Sequence, residues 1–271
     1  MFKIYAGFIS LALISALGVI ALSPQSKPSV NALFADKVKQ SAVLHDKALE
    51  RIKSECNVPD QVWNKTIQAI ENVIASDDLF AVKNVITKSD NEQPWIAQIV
   101  KKIALEHGMN PERITVKFVT AHDVNLQAIQ DFDENNNIVH LIEINLEWCN
   151  RHSQQMQEAF ARHEMMHLYN YDGIEDGYIT YMLNTLGQKP EDSAKHPAMI
   201  NFRHARELRA DLLAGCNSST IAHALCDHYT QDIPLDTKRP LEAQMSHPTA
   251  QDRVTQLTQL MIQMDNQSKL V

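Results

Sequence analysis

Glycine is scarce in this chain of 271 residues, at 7 in all, which leans against an all-β fold built on many tight turns. Positive charge is short as well. Lys and Arg total 25 against 33 Asp and Glu, a formal net charge of −8. A general nucleic-acid binder needs a positive field to meet phosphates, so the balance argues against that class. There is no internal repeat, no low-complexity tract and no Cys-x-x-C pair of the kind found in zinc knuckles. Beyond the N-terminal run, no stretch is long and apolar enough to span a membrane. Hydrophobic residues still make up 44%, so a real core is available, and the length suits one large domain or two small ones.

Lys3 precedes an apolar run from Ile4 to Leu22. The run is longer than the core of a signal peptide, about 7–15 residues, and nearly reaches the roughly 20 of a membrane anchor. Ala21-Leu22-Ser23 offers small residues for cleavage after Ser23. Residues 1–23 are read as a signal peptide or a retained anchor. Either one places the remainder outside the cytoplasm, in the periplasm or on a membrane face turned towards it, in preference to secretion. No cysteine follows closely enough for a lipid-attached N-terminus. The cysteines are Cys56, Cys149, Cys216 and Cys226. In an exported protein they permit two disulfides, with Cys216–Cys226 and Cys56–Cys149 the preferred pairing; four buried thiols is the alternative.

The apolar periodicity predicts a helical lead-in over residues 24–93 and a second unit over 94–271. In the lead-in, Leu33, Phe34, Val38, Val43, Leu44 and Leu49 recur at helical spacing, and Asp60 can cap a helix carrying Val62, Trp63, Ile67, Ile70 and Ile74. A short helix over 79–86 is expected too. Alternation then predicts strands at Ile114–Phe118, near Leu126–Phe132, and at Ile138–Ile144, giving a small, largely antiparallel sheet. The fold class is α+β, mostly helical. Asp172-Gly173 reads as a break, 188–197 as a loop, and further helices are expected at about 174–186, 198–214, 218–228 and 249–264.

Within the uninterrupted helical run from Ser153 to Tyr171 stands His163-Glu164-Met165-Met166-His167. Histidines four apart share a helical face and reach one metal ion together; the glutamate between them lies beside that face, where a water on the metal would sit. A catalytic zinc takes three protein ligands and keeps one position open. The third is expected from a later helix carrying Glu207 and Asp211, also four apart and flanked by the small Ala210 and Ala214. Glu207 is the expected ligand and His204 its rival. Asp211 is expected behind the ligands, accepting from a histidine and fixing its tautomer. His140, on a strand, is read as packing before substrate contact. Trp63, Trp95 and Trp148 are read as core. Lys101, Lys102, Arg203, Arg206 and Arg209 are read as solvated helix faces, and His45, His107, His122, His223 and His228 as surface or capping groups.

These motifs resemble the Ste24/HtpX/Oma1-type zinc metallopeptidases, the M48 group of gluzincins, over roughly residues 95–262. That family carries His-Glu-x-x-His on one helix and Glu-x-x-x-Asp on a later one, as at 163–167 and 207–211 here. Ser246-His247-Pro248, with Arg253 following, is similar to the family's His-Pro segment. The resemblance implies a zincin-like core and one zinc ion at His163, His167 and Glu207, with Glu164 as general base. It also makes His247 a candidate for restraining the metal site or holding an oxyanion, with Arg253 as the other candidate donor. The implied activity is hydrolysis of peptide bonds in exported or membrane-associated proteins, misfolded ones among them, by a zinc-activated water. A zinc-holding, chaperone-like protein with latent proteolysis is the alternative. The chain departs from the family in its single apolar run, in lacking tetratricopeptide repeats, and in having Glu134-Asn135-Asn136-Asn137 where a glycine-rich turn is usual.

Overall fold

The computed structural model describes residues 28–81, 94–120, 125–238 and 240–268. The N-terminal apolar run, His122 and most of the helix expected at 79–86 lie outside them. In chain order the elements are helices α1 (Pro28–Glu55), α2 (Asp60–Ser76) and α3 (Trp95–Glu106), strands β1 (Ile114–Val119), β2 (Leu126–Phe132) and β3 (Ile138–Asn145), then helices α4 (Leu146–Arg151), α5 (Gln154–Tyr169), α6 (Asp172–Thr185), α7 (Pro190–Lys195), α8 (Pro197–Gly215), α9 (Ser219–Asp232), α10 (Leu241–Ser246) and α11 (Ala250–Ser268). Among the described residues the protein is mostly helical with one small sheet. Among the described residues no helix is long and apolar enough to cross a membrane.

The sheet is evenly mixed, where a largely antiparallel one is expected from the sequence. Its order is β1-β3-β2, with β3 antiparallel to β2 and parallel to β1. The β2–β3 hairpin closes through a turn in which Asp133 Oδ1 accepts the Asn135 and Asn137 amides, each at 2.8 Å. Asn136 takes φ 60° there. Asparagine tolerates the left-handed region better than most residues, so the turn forms without glycine. On β3, Ile138, His140, Ile142 and Ile144 face inward and are buried, while Val139 is exposed.

The helical lead-in shares its core with the rest of the chain. Leu33, Phe34 and Val38 of α1 join the main cluster with Val100, Ile103, Ile142 and Met166. Leu49 and Ile52 join a second cluster with Ile179, Met199 and Phe202. Val43 and Leu44 instead lie on the exposed side of α1. α1 packs along α8, and α5 is surrounded by α3, α8, α9 and β2. Accordingly α5 is buried nearly all round, through Ala159, Phe160, Ala161, Met165, Met166 and Leu168.

Several local boundaries differ from the sequence reading. Asp172 and Gly173 are the first turn of α6; the direction change falls one residue earlier, at Tyr171 with φ 55° and ψ 35°. Gly173 is needed for close approach, since a Cβ there would sit 3.0 Å from Gln130 Cβ on β2. The loop at 188–197 contains α7, and α11 runs on to Ser268. Pro59 takes the cap position of α2, with Asp60 its first residue. All four cysteines are free thiols. Cys56 Sγ lies 3.6 Å from His196 Nδ1, Cys226 Sγ lies 3.9 Å from Thr258 Oγ1, and neither meets the preferred partner.

Candidate metal centre

Ser153 opens α5 by accepting the Met156 amide on its Oγ at 3.2 Å. Three turns on, His163 and His167 project from one face. α8 packs against that face, and the fully buried Ala210 and Ala214 permit the approach. The structure brings together His163, His167 and Glu207, whose donor atoms all lie within 4.8 Å of one another. His204 is not part of the group, because its Nε2 faces the Gln244 carbonyl at 2.8 Å.

The separations test whether a metal fits. The two histidine Nε2 atoms are 3.1 Å apart. Glu207 Oε2 lies 3.4 Å from His163 Nε2, and Glu207 Oε1 lies 3.3 Å from His167 Nε2. Two ligand atoms bonded to a tetrahedral zinc at about 2.0–2.1 Å stand about 3.3 Å apart. Each observed separation is near that spacing, with Glu207 setting one oxygen against each imidazole, and two imidazoles with one carboxylate are the donor types zinc takes. Glu207 Oε2 is buried and accepts no hydrogen bond from the protein, an omission a cation would remedy.

The electrostatics point the same way. Burial alone would lower the His167 pKa, but the Glu207 charge and hydrogen bonds to Asp172 and Glu207 raise it to about 10. Burial also opposes charging of His163, and Asp211 outweighs it to raise that pKa. Burial would raise the Glu207 carboxyl; the His167 charge, with that of His163, holds it well below the ordinary range. The cluster therefore gathers positive charge, which a metal would supply by displacing protons.

Behind the ligands stand two carboxylates. His163 Nδ1 lies 2.8 Å from Asp211 Oδ1, close but not in line for a full hydrogen bond. Asp211 is itself held by Arg253, Nε to Oδ2 at 2.6 Å and Nη2 to Oδ1 at 2.8 Å, and by the Tyr229 hydroxyl at 3.0 Å. The Arg253 guanidinium lies 3.9 Å from the centre of the Tyr229 ring. Arg253 Nη2 also stands 3.6 Å from Glu207 Oε2, which places the guanidinium between Asp211 and the candidate ligand. The other carboxylate, Asp172, escaped the sequence reading. Its Oδ2 accepts from His167 Nδ1 at 2.7 Å, and its Oδ1 accepts from Arg209 Nη2. Burial would raise the Asp172 carboxyl, but the Arg209 charge and the His167 hydrogen bond hold it well below the usual range. Arg209 is thus a buried partner rather than a solvated residue, and Arg206 Nη1 reaches Asp176 at 3.3 Å.

Glu164 lies beside the ligands and outside their set. Its Oε2 accepts the Ala128 amide of β2 at 2.7 Å. Burial raises its carboxyl above the ordinary value, with the histidine charges opposing. His247 is about half exposed, with Nε2 3.6 Å from Glu207 Oε2. His140 is fully buried, with Nε2 2.8 Å from Asp77 Oδ2 and Nδ1 3.2 Å from Gln130 Nε2. No family model matches the chain, and no curated protein or solved structure matches it.

Proposed function

We propose that the chain is a zinc-dependent endopeptidase with a zincin-like core, acting on protein or peptide substrates outside the cytoplasm. The observation that carries the reading is the near-equal spacing of His163 Nε2, His167 Nε2 and the Glu207 carboxylate, with Glu164 beside them and outside the set. The resemblance to the gluzincin metallopeptidases supports it, and the N-terminal apolar run supports export or anchoring.

His163, His167 and Glu207 would hold one zinc ion. Zinc in such a site lowers the pKa of a water to about 7 and polarises a carbonyl. Glu164 is the general base. The Ala128 amide fixes its Oε2, and Oε1 takes the proton and passes it to the leaving nitrogen. Asp211 backs His163, and Arg253 with Tyr229 keeps Asp211 in place. The outer edge of β2 offers a line along which an extended peptide can lie, with its Ala128 amide already committed to Glu164.

A second reading, a zinc-holding protein with latent proteolysis, is favoured by His247, whose Nε2 stands 3.6 Å from Glu207. Casein cleavage by the purified protein, with and without chelator, decides between them. The expected result is one zinc per chain in wild type and in Glu164→Gln, with cleavage lost in the variant and on chelation. Absence of stoichiometric zinc, or cleavage retained by Glu164→Gln, overturns the proposal. Cleavage appearing only in His247→Ala supports the latent form.

A further inference from the structure

We infer that Asp172 is a positioning residue for the metal: it keeps a proton on His167 Nδ1, so that Nε2 is the nitrogen His167 offers to a metal. The inference rests on the zinc-centre reading above and adds how one ligand is kept in its binding form.

A neutral imidazole carries one proton on one of two nitrogens, and the partner of that proton decides which. His167 Nδ1 lies 2.7 Å from Asp172 Oδ2. An ionised carboxylate only accepts, so the proton stays on Nδ1 and Nε2 is left as the donor atom to a metal. Of the two carboxylates behind the histidines, Asp172 is the one in line for a full hydrogen bond.

The carboxylate is itself held on several sides. Asp172 is 1% exposed. Arg209, 6% exposed, takes Oδ1. Arg206 Nε stands 4.0 Å from Oδ2. The backbone that presents Asp172 is fixed by the preceding residue, Tyr171, a non-glycine at φ 55°. Such a conformation is unfavourable for a residue with a side chain and persists only when its surroundings hold it. Here the Tyr171 hydroxyl donates to Asp77 at 2.7 Å, and Asp77 also holds His140. Asp77 comes from the lead-in, just after α2. The lead-in thus braces the turn that aims Asp172.

Asp172→Asn tests the assignment with almost no change of shape. An amide has one acceptor and one donor end. Arg209 has only donors, whereas a neutral imidazole nitrogen can either donate or accept, so the amide oxygen turns to Arg209 and the NH2 to His167. Nδ1 must then accept, and the His167 proton moves to Nε2. The expected result is a 10–100-fold weaker zinc constant, measured on the full chain by competition with a chromophoric chelator. Arg209→Met removes the constraint on the amide and leaves no unpaired buried cation. In that background Asp172→Asn keeps most of the affinity, whereas Asp172→Ala, with no acceptor for Nδ1, falls about 10-fold. Glu175→Gln serves as the structural control. It breaks the buried His45–Glu175 pair, 2.7 Å in length, and lowers stability while leaving the zinc constant unchanged.

Equal zinc constants for wild type and Asp172→Asn would overturn the assignment. So would equal constants for Asp172→Asn and Asp172→Ala in the Arg209→Met background. Wild-type protein that takes up no stoichiometric zinc defeats the metal-centre reading itself, and this inference with it.

Discussion

Replacing His107 with Phe should make the protein less sensitive to acid. The imidazole closes α3 between Phe34, with ring centres 5.2 Å apart, and Tyr169, at 5.8 Å. It is 5% exposed, and its Nε2 has no hydrogen-bond partner. Burial, reinforced by the Arg162 charge and opposed by Glu106, lowers its pKa from 6.5 to about 4. The unfolded chain binds a proton here at about pH 6.5, and the folded chain does not until about pH 4. Between those values the unfolded state holds more protons, so stability rises with pH. The contribution is complete above pH 6.5 and lost as pH falls towards 4. At 1.36 kcal/mol per pKa unit the whole interval amounts to about 3 kcal/mol, of which about 2 kcal/mol is lost by pH 5. Urea unfolding of wild type and His107→Phe at pH 7.5 and pH 5, followed by circular dichroism, measures it. The packing cost of the larger ring does not depend on pH and cancels in the comparison. Wild type should lose about 2 kcal/mol more than the variant over that step; equal losses would refute the reasoning.

Arg253→Met strips the buried Asp211 of its bidentate partner, and a buried charge left alone costs about 3–5 kcal/mol. The denaturation midpoint should fall accordingly, and Arg253→Met with Asp211→Asn should recover part of the loss. An unchanged midpoint in the single variant counts against the buried pair. At the hairpin, Asn136→Val places a β-branched residue at φ 60° and should cost about 1–2 kcal/mol. Asn136→Gly should be neutral or slightly stabilising in the same assay, and the opposite order would argue against the left-handed turn.

What could be read from sequence follows from how local each feature is. His163 and His167 share a face because of helical period alone, and so do Glu207 and Asp211. Their helices were therefore legible, as were the three strands, whose residues alternate. The pairing of β1 with β3 was not, because a parallel partner leaves no mark within either strand. Asp172 was hidden for a related reason. Asp-Gly looks like a break, and only the left-handed Tyr171 turns the aspartate back towards His167. Arg209 looked solvated because a charged residue on a helix carries no sign of a partner on another. His107 read as a capping group, yet Phe34 and Tyr169 enclose it from elements distant in the chain.

The strand order has a consequence for how the sheet comes together and apart. β3 is shared by both pairings, and its hairpin with β2 needs only a short turn to close, a step of microseconds. β1 joins across the whole intervening hairpin, at a larger entropic cost of closure. Release of β1 therefore leaves the Ala128–Glu164 bond standing, whereas release of β3 dissolves the sheet entirely. The edge that steadies Glu164 thus belongs to the locally closed hairpin, and β1 to the pairing that spans the longer stretch of chain.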